Sequence, residues 1–392
     1  MLALPRWDGP YSSTAYSLAK EFAKKNRVFY IDNPFTLKDF VAGYDTPQVR
    51  ARKKALLTGK DMFTTVDPNL TIVTPRLMIP NNFLPEGRLY ETIAAFNDRI
   101  LFRAIRKLLD EYQVKDFIFI NSFNPFYART WPEFFKPSLY VYHTVDDISY
   151  SKWIRKHGPR LENMAIRQAD LTFATSIELK RLKSDLSEHI YYLPNAADCS
   201  LFRNSVQEKF ELPEDVPKTD KPIVVYTGHL DERLDYDLLK FIFNAHPDKM
   251  FLMIGPWSIA QELYDELAAF PNVVFTGGKH ISELPRYLHF AQCTVIPFKC
   301  NTLTKSIYPL KVNEYLAAGK PVVSTPFSED IMAFSETIEI GNDYPSFSEA
   351  IAQAIVSDTQ TKIEARQRAA EKNTWEARIA SFWNTLGGYL KR

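Results

Sequence analysis

Short runs of β-branched and aromatic residues alternate along this chain with longer segments in which apolar residues return every three or four positions. A period of 3.6 marks one face of a helix, and a brief apolar run bounded by turn residues marks a buried strand. Strands are predicted in the first half at RVFYID (27–32), LTIVT (70–74), DFIFIN (116–121), SLYVYHT (138–144), LTFAT (171–175) and IYYLPN (190–195). The second half repeats the pattern at IVVYTG (223–228), KMFLMIG (249–255), NVVFTG (272–277), CTVIPF (293–298), KPVVST (320–325) and ETIEIG (336–341). Strands separated by helices predict open parallel sheets with helices on their faces.

The pattern therefore predicts an α/β protein of two Rossmann-like open parallel-sheet domains facing a cleft. Residues 1–200 form the first domain, 201–221 a charged, proline-interrupted linker, and 222–373 the second domain. The final stretch, 374–392, reads as a helix packed through Trp375, Phe382 and Trp383 and crossing back to the first domain. Open α/β sheets bind ligands beyond the carboxyl ends of their strands, which places the expected site in the cleft.

Composition fits this division. The 392 residues are 45% hydrophobic and 24% charged, enough for a large core and more than one usual domain. No apolar run approaches the roughly 18 residues of a membrane span, and MLALPRWDGP is too short in apolar residues for a signal peptide. Cys199, Cys293 and Cys300 form no metal-type pair and read as packing residues, in keeping with a reducing, cytoplasmic setting.

The formal net charge of +1 hides an asymmetry: residues 1–205 carry 29 Lys and Arg against 22 Asp and Glu, and the remainder is acidic in balance. Two basic clusters stand out, Arg50 to Lys54 (RARKK) and Arg99 to Lys107 (RILFRAIRK). The second interleaves its charges with Leu, Phe and Ile, which suits a helix lying on anionic lipid headgroups, as a peripheral protein at the inner face of a cell membrane would; an ordinary solvated helix face is the alternative. No nucleic-acid-binding motif accompanies the charge.

The candidate chemistry lies in YPLKVNEYLAAGKPVVST (308–325). Pro309 suits a helix start, and Gly319 followed by Pro321 suits its end. Lys311 and Glu314 are three residues apart and share a face near the positive end of that helix. With 13 glycines and neither a G-x-G-x-x-G nor a P-loop pattern, any phosphate would have to rest on a helix N-terminus and cationic side chains. The Pro309 helix supplies both, and Thr304 and Ser306 in the preceding segment offer hydroxyls. A carboxylate one turn further on suits a vicinal diol, as in a ribose after a diphosphate. Otherwise the two residues form a surface pair contributing about 0.2–0.5 kcal/mol.

The same segment resembles the donor-binding segment of GT-B glycosyltransferases, in the family 4-like group that includes teichuronic-acid and capsule-type bacterial enzymes. RQADLTFATSIELKRL (167–182), LPNAADCSLF (193–202), VVYTGHLDERLDYDLL (224–239) and VVFTGGKHISELPRYLHFAQCTVIPF (273–298) resemble further stretches of that family in the same order. The resemblance implies a metal-independent hexosyltransferase with no cofactor beyond its nucleotide-sugar substrate, a UDP or GDP sugar. It implies a saccharide or lipid-linked acceptor, a place in bacterial surface-polysaccharide synthesis, and retention at the anomeric carbon.

Carried over by position, Glu314 would hold the ribose, and Lys311, Pro309 and Leu310 the diphosphate. Gly228 and Arg233 would line the loop after the first strand of the second domain, and Gly278 and Lys279 would meet the base. Two departures matter: Ser306 stands where the family often has a second glutamate, and His229 follows Gly228 without the basic residue and later Lys-Gly usual there. In the first domain His143, Asp146 and Asp147 are the catalytic candidates, alternatively space-filling and helix-capping residues. Trp7, Asp8 and Tyr11 are the acceptor candidates, alternatively loop packing. A nucleotide-sugar epimerase of the same fold and a non-catalytic GT-B-like binding protein are the rival readings.

Overall fold

The computed structural model describes residues 1–9, 13–42, 47–58, 62–151 and 153–391. The chain forms two compact units: Met1–Thr175 with Leu179–Leu193 and Thr385–Arg392, and Ser176–Glu178 with Pro194–Asn384.

In the first unit the strands are β1 (Leu2–Ala3), β2 (Val28–Ile31), β3 (Phe63–Asp67), β4 (Leu70–Val73), β5 (Ile118–Ser122), β6 (Leu139–Thr144), β7 (Leu171–Ala174) and β8 (Ile190–Tyr192). They lie in the order β3-β4-β2-β1-β5-β6-β7-β8, parallel except for β3, which runs antiparallel to β4. Every residue of β4, β6 and β7 is buried, because helices cover both faces of a parallel sheet, and these strands accordingly read as largely apolar runs broken only by Thr71, His143, Thr144 and Thr172. β3 was not anticipated. As an edge strand with β4 as its one neighbour and only Phe63 partly buried, it leaves four exposed residues and little apolar signal.

The second unit carries β9 (Ile223–Thr227), β10 (Met250–Ile254), β11 (Val273–Gly277), β12 (Cys293–Ile296), β13 (Val322–Ser324) and β14 (Glu339–Ile340). Their order, β11-β10-β9-β12-β13-β14, is wholly parallel. The direction of winding reverses between β9 and β12, so the loops leaving these two strands open a crevice at the carboxyl edge, the usual ligand position in such sheets. The Gly228 loop follows β9, and the segment leading to Lys311 follows β12.

Residues 201–221, read as a linker, begin within a helix, Cys199–Gln207, whose Phe202 is fully buried in the core of the second unit. The helix is too short for its periodicity to stand out from the charged residues after it. The terminal helix, Trp375–Tyr389, buries Phe382 and Leu386 but leaves Trp383 38% exposed, so Trp383 is a surface ring rather than a core one. Its end, from Thr385, groups with the first unit, where Tyr389 meets the His189 ring edge-on at 5.0 Å.

Candidate functional site: a cationic helix start at the carboxyl edge of the second sheet

The helix bearing Lys311 and Glu314 spans Leu310–Ala317, with Pro309 as its N-cap (φ −79°, ψ 114°) rather than inside the first turn. No side chain caps it, as proline has no polar atom to offer, so the first amides keep the donors that any helix start leaves over. Gly319, at φ +67°, ends the helix as expected. Tyr315 fixes the helix to the sheet: its buried hydroxyl accepts from the Thr227 amide at 2.7 Å and pairs with the Thr227 hydroxyl at 3.0 Å.

Lys311 reaches from this helix to the end of β9. Its Nζ lies 3.2 Å from the Tyr226 hydroxyl, which in turn donates to the His229 carbonyl. It also stands 4.6 Å from the ring centroids of both Tyr226 and Phe298, so two aromatic faces hold the ammonium. Gly228 makes the room. At φ +132° a Cβ there would sit 3.0 Å from Lys311 Nζ. Gly255 makes room in turn for Gly228, whose carbonyl oxygen would be 1.9 Å from a Cβ at position 255.

The electrostatics are those of charges removed from water. Burial, aided by the Arg233 charge, lowers Lys311 to about 7, with Glu314 and Asp231 pulling the other way. Burial likewise raises Glu314 to about 7 against the opposing charge of Lys311. Each group is half-buried and has an incomplete counter-charge, so an added anion beside Lys311 would be welcomed.

Arg233 does not project freely: its guanidinium grips Asp231 through Nε at 2.8 and 3.0 Å and Nη2 at 2.5 Å. Burial works against ionisation of Asp231, but this pairing with Arg233 holds its carboxyl below the usual range. The expected hydroxyl donors are also engaged. Residues 301–308 contain a short helix, Thr302–Lys305, in which Thr304 belongs to a capping box with Asn301, and the buried Ser306 hydroxyl donates back to Leu303 at 2.9 Å. Ser306 is therefore a helix-ending residue here, not a donor aimed outward. Lys279 pairs with Asp215 at 2.6 Å, which leaves the backbone of Gly278 and Lys279, just after β11, as the groups at that edge.

In the first unit His143 ends near the carboxyl edge of β6, fully enclosed, with Nδ1 3.0 Å from the Ser122 hydroxyl and Nε2 without a partner among the described residues. Burial lowers it to about 4, so the ring is neutral and would meet a ligand as a neutral hydrogen-bonding group rather than as a charge. Asp147 accepts from the Ser149 amide and hydroxyl and closes the turn after β6; Asp146 is exposed beside it.

Asp8 is not available to sugar hydroxyls: it pairs with Arg52 at 2.6 Å, and Arg52 also pairs with the buried Asp32. Of the basic run Arg50 to Lys54, Arg52 is therefore turned inward, its side chain only 4% exposed, while Arg50 and Lys54 stay at the surface. Trp7 is half-buried against Tyr16, and its amide donates to Asp32. Tyr11 lies outside the described residues.

Residues 221–357 match the family model for glycosyl transferases group 1. That stretch, the larger part of the second unit, is similar to a group 1 glycosyltransferase domain. TuaH of Bacillus subtilis (strain 168), named for teichuronic acid biosynthesis, is 26% identical over 235 residues, an alignment that takes in 57% of this chain and 58% of TuaH. Over its whole length the chain has the GT-B fold: sucrose-phosphate synthase from Thermosynechococcus elongatus superposes with a TM-score of 0.66 at 17% identity, covering 99% of this chain and 98% of that one. Anabaena Alr3699/HepE, solved with UDP and glucose, superposes at 0.58 and 15% identity, covering 98% of each.

Within the matched stretch the sequence singled out Lys311, Glu314 and Gly228 but missed Tyr226, Phe298 and Tyr315, which position the lysine and its helix. These three look like ordinary core aromatics in one dimension. Gly255 left a fainter signal, as one of only 13 glycines placed directly after a strand.

Proposed function

We propose that the protein is a glycosyltransferase that moves a sugar from a nucleoside diphosphate-sugar to an acceptor hydroxyl in surface-polysaccharide synthesis. The observation that carries this reading is Lys311, held between two rings at an uncapped helix start, with Glu314 one turn beyond. The naming of TuaH and the UDP and glucose bound to HepE support the substrate class.

In this reading the diphosphate rests on the Leu310 and Lys311 amides and the Lys311 ammonium. Glu314 takes the ribose hydroxyls, and the Gly278 and Lys279 backbone meets the base. Arg233, locked to Asp231, adds positive charge beside Gly228. When the anomeric bond breaks, its electron pair goes to the phosphate oxygen, and the acceptor oxygen forms the new bond and gives up its proton to that departing phosphate oxygen. Lys311 and the helix dipole stabilise the leaving diphosphate more than the intact donor, because the charge grows there. On the first unit, the Nε2 of His143 and the exposed Asp146 are the candidate acceptor-side groups, and configuration at the anomeric carbon is retained.

The inward-turned Ser306 favours one second reading, donor binding without transfer. A thermal-shift screen of nucleoside diphosphates and nucleotide sugars should raise the melting temperature for one nucleotide series, since a ligand of the folded state alone stabilises it. Proton NMR of that nucleotide sugar with and without an acceptor panel should then show acceptor-dependent transfer with the anomeric configuration kept. A shift without turnover would favour the binding protein, conversion of donor alone would favour an epimerase, and no shift would overturn the nucleotide site.

A further inference from the structure

The basic run Arg99 to Lys107 lies on the helix Arg88–Glu111, and its apolar residues are not turned outward: Leu101, Phe102, Ile105 and Leu108 are core residues of the first unit. What the helix presents instead is a wall. A pocket of about 400 Å³, within the range that binds small ligands, opens between Arg99, Arg103 and Arg106 and the segment Thr130–Phe134. This segment follows β5 back toward the start of β6, so the pocket lies on the flank of the sheet, not at its carboxyl edge.

Three features specify what would fill it. Arginines at i, i+4 and i+7 line one face, with Cβ atoms of neighbouring turns about 5–6 Å apart, and like charges so spaced destabilise the helix unless an anion joins them. None of the three has a carboxylate partner among the described residues. Asp98, the one carboxylate in the lining, is turned to the backbone, accepting from Ala128 at 2.8 Å and Arg129 at 3.3 Å.

The second feature is the opposite wall. Trp131 is fixed by its Nε1 bond to the Ala128 carbonyl and by edge contacts with Phe119 and Phe135. Phe134, half-buried, stacks under the Arg106 guanidinium at 4.1 Å, which aims that arginine. Planar guanidinium groups grip carboxylates bidentately, and rigid rings offer flat faces to apolar sugar surfaces.

The third is shape. The pocket is concave, and from Arg99 to Lys107 no large apolar side chain is exposed; Phe96, one turn earlier, is 44% exposed. Leu89, a further two turns back, is 63% exposed, so what the helix shows to solvent is a two-residue strip N-terminal to the arginines, short of the broad apolar face that lying in a bilayer interface needs.

We propose that this pocket binds an acidic saccharide, with its carboxylates on Arg99, Arg103 and Arg106 and its rings against Trp131 and Phe134. The site shares no residue with the nucleotide site, so either can fail without the other.

The test is calorimetric titration of the full chain at low ionic strength with a short oligogalacturonate and with its neutral methyl ester. Oligogalacturonate should bind, the ester should not, and Arg103→Gln/Arg106→Gln should weaken binding by about tenfold or more, as expected for lost charge-assisted contacts. Both arginines are exposed, so the double variant should fold and should keep the wild-type thermal shift with nucleotide. Phe134→Ala should weaken binding without changing its salt dependence. The proposal is overturned if oligogalacturonate does not bind, if the ester binds equally, or if the double variant binds as wild type. It is equally overturned if phosphatidylglycerol vesicles float the protein through these arginines while the saccharide does not bind.

Discussion

At Lys311 and Glu314, two groups of opposite sign have been moved to the same pH, about 7, by the same cause, burial of charge. The sign of the consequence differs for each. A dianionic ligand beside Lys311 favours its protonated form, so above pH 7 binding takes up a proton. Diol hydrogen bonds to Glu314 favour the carboxylate, so below pH 7 binding releases one. Calorimetry of the bound nucleotide in buffers of different ionisation enthalpy should therefore show uptake at pH 8 that Lys311→Met removes, and release at pH 6 that Glu314→Gln removes. The Arg52 cluster makes a prediction about stability. Removing Arg52 leaves Asp8 and the buried Asp32 without their ion-pair partner and with only the charge of Arg6 nearby, so Arg52→Ala should cost about 3–5 kcal/mol in denaturant unfolding. A loss below about 1 kcal/mol would mean that the cluster is solvated.

Among the elements, the buried parallel strands were the most legible, because helices on both faces favour apolar residues at nearly every position. β3 and the helices Thr302–Lys305 and Cys199–Gln207 were not, since an exposed edge strand and short helices leave too few periodic positions. The donor helix was legible through proline, glycine and the Lys-Glu spacing, yet what poises its lysine comes from three other elements whose side chains meet only on folding. The same limit applies at Asp8, whose partner Arg52, shared with Asp32, is distant in sequence. The loops after β9 and β10 depend on one backbone approach. Gly255→Ala puts a Cβ 1.9 Å from the Gly228 oxygen at φ +155°, so it should destabilise the chain by more than about 3 kcal/mol and weaken nucleotide binding with it. Wild-type stability in this variant, read by denaturant unfolding, would contradict the packing described.

For the molecule as a whole, the GT-B fold gives the frame, and each unit carries its own candidate groups. The second carries the cationic helix start, while the first carries the neutral His143, the Asp8-Arg52-Asp32 cluster and the arginine-lined pocket. Fold alone does not fix a reaction, so the account rests on its site. The direct test is calorimetric titration of UDP and of GDP onto the wild-type chain, Lys311→Ala and Glu314→Ala. One nucleotide should bind the wild type, and Lys311→Ala should weaken it by about 1.5–3 kcal/mol, the range for charge-assisted hydrogen bonds, with a clear loss also in Glu314→Ala. Unchanged affinity in both variants would contradict the assignment of the donor site.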